Sequence, residues 1–249
     1  MQHLVFTTQA SESKGDMPKS WNAQHTRLYK YSTPVVPKLR ETESEWICCR
    51  LAKVLGIDCV QYNYETVEIE LFGKCFVDKA IVCNTFLGTD EQLITPMHLS
   101  TTIPTQQNLK FVMQVNPRHF HQMHVFDYLV CNTDRHLNNY GLIRNATGYR
   151  AAPVFDNDKA LFSTQANDNS PLFREFDPYL RSKAGFHASL YKDALSILQQ
   201  YDSLNRLFNL NDFEKHLRSI VNAVPTDMSK QRRQNIINLV MMQLKHLEG

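Results

Sequence analysis

Asp134 stands five residues ahead of Asn139 in the run Asn132-Thr133-Asp134-Arg135-His136-Leu137-Asn138-Asn139, and a second aspartate follows a short out-and-back segment in Pro153-Val154-Phe155-Asp156. These residue types at this spacing suit metal-dependent phosphoryl transfer. One carboxylate, Asp134, can orient a hydroxyl, while the amide oxygen of Asn139 and the carboxylate of Asp156 can hold Mg²⁺ against nucleotide phosphates. The same loop residues could instead close an Asx-turn with a solvated Arg135. The second aspartate, returning at a compatible spacing, favours the metal site. His136 fits a supporting role in this catalytic loop, because Asp134 already holds the hydroxyl-facing position and a neutral imidazole can lock loop backbone by hydrogen bonding.

The elements that must position these groups are legible around them. Tyr140–Arg144 is strand-like, Asn145–Gly148 has turn chemistry, and Tyr149–Ala152 can return antiparallel. The two ends of such a hairpin are neighbours, so Asn139 and Asp156 can meet one small, hard cation that prefers oxygen at about 2.0–2.1 Å. Upstream, Phe120, Met123, Phe126 and Val130 recur at helical spacing, and the loop is expected to hang from a buried helix ending near Cys131. Earlier in the chain, Arg27–Tyr31 alternates as a strand and carries Lys30, which could be held over phosphates, with Lys14 and Lys38 as competitors. Thr42-Glu43-Ser44-Glu45 fits a capping box for a helix with an apolar stripe of Ile47, Leu51, Val54 and Leu55, stopped at Gly56. Glu45 could pair with Lys30, although a capping role also explains it.

Together with Ser13-Lys14-Gly15-Asp16, Leu28–Tyr31 and Glu45–Ile57, the segments NTDRHLNN and APVFDN resemble the HipA-like serine/threonine kinases, from about residue 11 to residue 160. The Asp-Arg-His-x-x-Asn core is also similar to the catalytic loop of phosphoinositide kinases. The resemblance implies Asp134 as general base, Asn139 and Asp156 as Mg²⁺ ligands, and Lys30 as the phosphate-pairing lysine. It also implies that Ser13, Lys14, Gly15 and Asp16 form a phosphate-covering loop, in which Ser11 or Ser13 would accept phosphate from the enzyme itself. One glycine alone supplies little of the backbone freedom such a loop uses. The chain departs from the family where relatives often have Asp-Asn-Gly after the hairpin: here Asp158 replaces the glycine. An extra carboxylate there could help hold a second cation or stand exposed.

Composition bounds the rest. A chain of 249 residues with 43% hydrophobic content can bury a substantial core as one two-lobed domain or two small ones. No apolar run is long enough for a membrane span, and no export signal opens the chain, so a cytoplasmic protein is expected. Six cysteines without a Cys-x-x-Cys pair are expected to be reduced and mostly buried. A net charge of +2 gives little reason to expect nucleic-acid binding. Lys230–Arg233 reads as a solvated helix face. His121 and His124, one helical turn apart, lack a matching ligand set for zinc and are assigned to helix surface and packing.

The expected fold is α+β and two-lobed, with a small β-rich N-terminal lobe (1–95) carrying one helix and a mainly helical C-terminal lobe (96–249). Expected strands are Arg27–Tyr31, Cys59–Tyr64, Thr66–Leu71 and Lys74–Val82, with turns around Glu65 and Gly73. Asn84–Thr105 reads as a hinge, and helices are expected over Thr105–Met113, Arg118–Cys131, Ala188–Tyr201, Asn211–Val221 and Ser229–Leu247. Nucleotide would lie between the lobes. The expected partners are ATP, Mg²⁺ and a protein carrying a serine or threonine hydroxyl, with a regulatory protein partner possible in this family. A phosphoinositide or small-molecule kinase, and a non-catalytic kinase-like regulator, are the alternatives.

Overall fold

Alternating apolar residues build the first half of the chain into a curled sheet. The computed structural model describes residues 2–7, 17–32, 39–99, 106–181 and 189–248. Strands β1 (His3–Val5), β2 (Lys19–Trp21), β3 (Arg27–Lys30), β4 (Asn63–Leu71) and β5 (Lys74–Asn84) lie in the order β1-β4-β5-β3-β2, with β1 parallel to β4 and the other pairings antiparallel. Just past β1, Thr7 exchanges backbone hydrogen bonds with Lys19 of β2, so the two edge strands of the sheet are bridged at that point. Leu4, Phe6, Tyr29, Val67, Ile69 and Val82 fill the inside of this curl.

One expectation changes here. The turn placed at Glu65 is absent, and β4 runs unbroken through it. Glu65 sits opposite Ala80 and accepts hydrogen bonds from Arg27 and the Tyr29 hydroxyl, so a residue of low strand propensity is held by its cross-strand partners. The polar N-terminal stretch contributes β1 and β2, three residues each, too short for a periodicity to register.

Helix α1 (Glu41–Val54) crosses to the second, larger core, where Ile47, Leu51 and Leu55 meet Phe120, Met123 and Phe126 of α3 (Pro117–Leu129). Asn116 caps α3 by accepting from the His119 amide at 3.2 Å, and Pro117 takes the first helical position, where its missing N–H is harmless. Helix α2 (Gln106–Val115) precedes it. The stretch read as a hinge contains β6 (Gln92–Ile94), which pairs with β7 (Leu142–Asn145), and β7 pairs in turn with β8 (Gly148–Ala151). The expected hairpin is therefore the centre and edge of a three-stranded sheet. Gly141 permits this approach, since a Cβ there would run into the Ile94 carbonyl.

The C-terminal region supplies α4 (Leu190–Leu198), α5 (Leu204–Leu207), α6 (Phe213–Asn222) and α7 (Lys230–Glu248). In the basic run opening α7, Lys230 and Gln231 are exposed as expected, but the two arginines are not part of a solvated face. Arg232 is buried, donates to the carbonyls of Gln165 and Phe162 and lies over the Phe173 ring, while Arg233 donates to the carbonyls of Val221, Val224 and Met228. Both arginines collect carbonyls of loops and, at Val221, of the last turn of α6, where the helix leaves its carbonyls without intrahelical partners. Of the cysteines, five are buried and Cys75 is exposed, and all six are free thiols. Among the described residues no helix is long and apolar enough to cross a membrane.

Candidate active site

Helix α3 ends where Cys131 adopts a left-handed backbone (φ 52°), and the chain enters the loop that carries Asp134. An Asx-turn starts it: the Asn132 side-chain oxygen accepts from the Asp134 amide at 3.2 Å, while its nitrogen donates to Asp127 at 3.1 Å. The Asn139 side-chain nitrogen reaches back to the Asp134 carbonyl at 3.2 Å, which ties the two ends of the loop and commits the nitrogen of that amide. His136 folds over the same loop and accepts from the Asn138 amide at 3.2 Å.

Arg135 is not solvated; its side chain has 0% exposure. Its Nε and Nη2 grip both oxygens of Asp127, itself buried on α3, at 3.0 and 2.9 Å. Its Nη1 donates to the Asn139 carbonyl at 2.9 Å and to the Phe155 carbonyl, and its Nη2 donates to the Asn157 side chain at 2.6 Å. One guanidinium thus holds the two ends of the hairpin together, at Asn139 and at Phe155, the residue before Asp156. The sequence carried a signal for this in Asp127, eight residues upstream on the helix face that the apolar stripe marks as buried, where a carboxylate requires a partner.

Asp156 has a left-handed backbone (φ 61°), a conformation Asp tolerates better than most residues. Its Oδ1 accepts from Lys30 Nζ at 2.8 Å. Lys30, 4% exposed, also donates to Glu45, whose side chain is wholly buried, and it lies over the Tyr62 ring. Burial works against the Lys30 ammonium, but Asp156 and Glu45 outweigh it and hold the amine well above its ordinary pKa. Burial likewise opposes the Asp156 carboxylate, and Lys30 and Lys19 reverse the effect, holding its carboxyl well below the usual range.

Glu45 does not cap α1. The helix starts one residue before Thr42, whose amide is taken by the Ser32 hydroxyl at 3.2 Å, and no side chain of the flanking Arg40 closes the end. The first turn of α1 is instead buried against the segment after Asp156. Glu45 accepts from the Asn157 amide at 2.9 Å, Ser44 donates to the carbonyls of Asn157 and Ala160 at 2.7 and 2.9 Å, and Lys159 donates to Glu41. The capping pattern and this tertiary clamp call for the same acidic and hydroxyl residues, so sequence alone could not separate them.

Lys19, which the sequence reading left unassigned, belongs to this cluster. It lies directly opposite Lys30 across the β2–β3 pair, and directly opposed residues share a face of the sheet. It is 4% exposed and feels the charges of Asp156, Asp158 and Glu45; burial leads and holds its pKa below the ordinary value. The hairpin was not read from the sequence; its turn is Asn22–Thr26, where Asn22 accepts from the amides of Thr26 and Arg27, and the pairing sets 19 opposite 30. Ser13, Lys14, Gly15 and Asp16, with Ser11, lie outside the described residues.

Asp158 is buried rather than exposed, with Lys159 at 3.7 Å, and burial followed by the charge of Asp156 pushes its carboxyl up to about 8. An acid whose folded pKa is raised stabilises the fold fully below its ordinary value of 3.8, and that contribution is lost as pH rises toward about 8. Asp156 acts with the opposite sign: its contribution is present above the ordinary value and lost only in strong acid. Asp158→Asn is therefore expected to flatten the decline in stability between pH 5 and pH 8, as read from urea midpoints. An unchanged decline would show that Asp158 does not carry it.

The arrangement offers a buried ammonium, a carboxylate held ionised, an amide and a second carboxylate on one loop. Among the described residues no three His, Cys, Asp or Glu side chains cluster at metal-binding distance. Asn139 and Asp156 offer an amide oxygen and a carboxylate, the hard oxygen donors that Mg²⁺ takes one or two of beside phosphates and water. A cavity of about 640 Å³ lies elsewhere, at the C-terminal end of α1 beside Gly56, Arg118, Gln122 and Asn209, and none of the candidate residues lines it.

Comparison with known proteins agrees with the fold. A sequence model of the HipA-like C-terminal domain family matches residues 7–241. No curated protein matches the chain. Among solved structures, the Helicobacter pylori proinflammatory kinase CtkA is similar with a TM-score of 0.61 at 19% identity, over 92% of this chain and 90% of that one. HipA of Shewanella oneidensis MR-1, solved with HipB and its operator DNA as a toxin–antitoxin system, is similar with a TM-score of 0.50 at 16% identity, over 96% of this chain. The match spans 64% of that HipA chain. At these identities the likeness is one of fold: mixed α+β, sheet-rich at one end and helical beyond.

Proposed function

The chain belongs to the HipA-like C-terminal domain family, and from that premise we propose that it is an ATP- and Mg²⁺-dependent protein kinase acting on serine or threonine hydroxyls, with its nucleotide between two lobes, residues 1–95 and 96–249. The observation that carries this reading is the buried Lys30 bridging Glu45 of α1 and Asp156 beyond the hairpin. That bridge joins an amine suited to phosphates with a carboxylate suited to a cation, and Arg135 ties the same segment to the Asp134 loop.

In this mechanism Lys30 pairs with phosphate oxygens and Glu45 keeps it aimed. Asn139 and Asp156 would hold Mg²⁺, which when bound neutralises phosphate charge and favours the in-line geometry. Asp134 orients the acceptor hydroxyl: the hydroxyl oxygen forms a bond to the γ-phosphorus, the bond from that phosphorus to ADP breaks, and the hydroxyl proton passes to the Asp134 carboxylate. His136 supports the loop by its bond to the Asn138 amide. Positioning and charge complementarity supply the rate, with no covalent enzyme intermediate. Ser13–Asp16 would cover the phosphates, and Ser11 or Ser13 would be the first acceptor. A cytoplasmic location and a regulatory protein partner complete the proposal; the Shewanella HipA was solved together with HipB as a toxin–antitoxin system.

The test is phosphopeptide mass spectrometry after wild type and Asp134→Asn are incubated with Mg-ATP. Phosphate on wild type alone, at Ser11 or Ser13, is the expected result. Equal phosphate on both proteins would remove Asp134 from its role. None on either, with added protein acceptors also unmodified, would favour a non-catalytic regulator, the reading to which Asp158 in place of glycine lends support.

A further inference from the structure

The cavity of about 640 Å³ at the C-terminal end of α1 takes no part in the proposed reaction, yet it is of the size that holds a ligand. One side is the chain after α5, tied to the helix end where the Asn209 amide donates to the Leu55 carbonyl at 3.2 Å. The other is the start of α3, which brings Arg118 and Gln122. Leu55 and Phe208 add apolar surface. The polar lining is of one kind: the carboxamides of Gln122, Asn205, Asn209 and Asn211 and the guanidinium of Arg118, with no carboxylate.

Two of these groups are fixed in place with capacity to spare. Gln122 is only 8% exposed, and its nitrogen donates to the Leu207 carbonyl at 2.8 Å, which settles which end of the amide is oxygen. That oxygen has no hydrogen-bond partner among the described residues, so a nearly buried acceptor is presented to the cavity. Arg118 donates through Nη2 to the carbonyls of Arg206 and Leu207 at 2.6 and 3.1 Å and lies over the Tyr201 ring. Among the described residues no carboxylate pairs with it, so its charge is held in position and left uncompensated.

A carboxamide offers a donor and an acceptor together, as a peptide group does, and a guanidinium favours a carboxylate. Arg118, Asn205, Asn209 and Asn211 are all exposed, so a chain can lie across the cavity rather than be enclosed by it. The two helices that meet here both run to the candidate active site. Leu55 follows Glu45 by ten residues on α1, and Gln122 precedes Cys131 by nine on α3, each a distance of roughly 15 Å. About five extended residues span that length. Resting on the proposed function, we propose that this cavity is a docking site for an acidic, extended segment of the acceptor protein, about five or more residues away from the hydroxyl that receives phosphate. Docking there raises the local concentration of the hydroxyl and leaves the chemical step unchanged.

Binding is tested without catalysis. The isotope-labelled full chain is titrated with the capped pentapeptide Gly-Glu-Ala-Glu-Gly and with its Gln and Lys counterparts, and the side-chain amide NMR signals of Gln122, Asn205, Asn209 and Asn211 are followed. Saturable shifts with the Glu peptide are expected, about tenfold weaker binding of the Gln peptide, the scale of one hydrogen bond to a charged group, and none of the Lys peptide. Arg118→Gln, which keeps an N–H for the Arg206 and Leu207 carbonyls, should bind the Glu and Gln peptides alike. Asn205→Ala, whose side chain holds no other residue among those described, should weaken both and serves if Arg118→Gln does not fold. Unmoved signals in wild type, or equal affinity there for the Glu and Gln peptides, overturn the docking site.

Turnover then tests its use. A serine peptide joined through a Gly-Ala linker of six residues to the Glu segment is compared with the same peptide lacking it, in Mg-ATP. The expected result is a KM about tenfold lower with the segment, an equal kcat, and loss of the difference in Arg118→Gln. An equal KM, or no transfer to either peptide by an enzyme that phosphorylates itself, overturns acceptor docking. No phosphate on peptide or enzyme, with saturable binding of the Glu peptide, overturns the kinase reading instead and leaves a peptide-binding cavity.

Discussion

Asp134→Asn lowers phosphoryl-transfer turnover by about 10²–10⁴-fold, the range for losing a positioned acid or base, and leaves Mg-ATP affinity near the wild-type value. Asp156→Asn does the reverse in its first effect: nucleotide binding loses its dependence on Mg²⁺, and turnover falls with it. The two aspartates separate because they hold different partners. Asp134 stands on a loop whose backbone is fixed by Asn132, Asn139 and His136, so an amide in its place keeps the shape and removes the proton acceptor. Asp156 is a charge partner of Lys30 and Lys19, so its neutral analogue leaves two buried ammonium groups with less compensation and no anionic oxygen for a metal. Measuring kcat and nucleotide Kd for each variant at several Mg²⁺ concentrations checks the split. Equal effects of both substitutions on Kd would sink it.

Arg135→Met is expected to destabilise the fold by about 3–5 kcal/mol, the cost of breaking a buried ion pair from one side. That is a large share of the roughly 5–15 kcal/mol that holds a typical domain folded. The substitution strands the Asp127 carboxylate and leaves the Asn139 and Phe155 carbonyls without their common donor. Arg135→Lys retains the charge but lacks the planar fork that reaches four acceptor groups at once, so it recovers only part of the loss. Urea unfolding gives the magnitude. A solvated surface arginine would change stability by no more than about 0.5 kcal/mol, and a result of that size would show that the guanidinium does not tie the hairpin ends together. For Arg135→Lys, residual phosphotransfer per folded molecule should fall as well, because Asn139 and Asp156 lose the link that sets their spacing.

The β7–β8 hairpin was legible because its signals are local. Turn chemistry at Asn145–Gly148 and alternation on either side place β7 and β8 within two residues of expectation, and helical spacing located α1, α3 and α7 for the same reason. Expectation failed where a short strand or a single side chain is held by something distant. β6 joins the hairpin only because Gly141 lets another segment approach, β1 and β2 are three residues each, and Glu65 remains in a strand through partners on β3.

By itself, the sequence determined which residues could do chemistry here: Asp134, Asn139 and Asp156 at fixed separations, on either side of a hairpin whose ends must be close. Their types and chain spacing are one-dimensional facts, and turn geometry converts them directly into proximity. Only the tertiary structure decided how the polar residues of α1, β2 and the loop are used. Glu45 serves Lys30 rather than a helix end, Arg135 is a buried clamp rather than a solvated side chain, and Lys19 joins Lys30. A charged side chain reads the same in sequence whether water or a buried partner satisfies it. The partner that makes burial tolerable comes from another part of the chain, so only folding reveals which of the two applies.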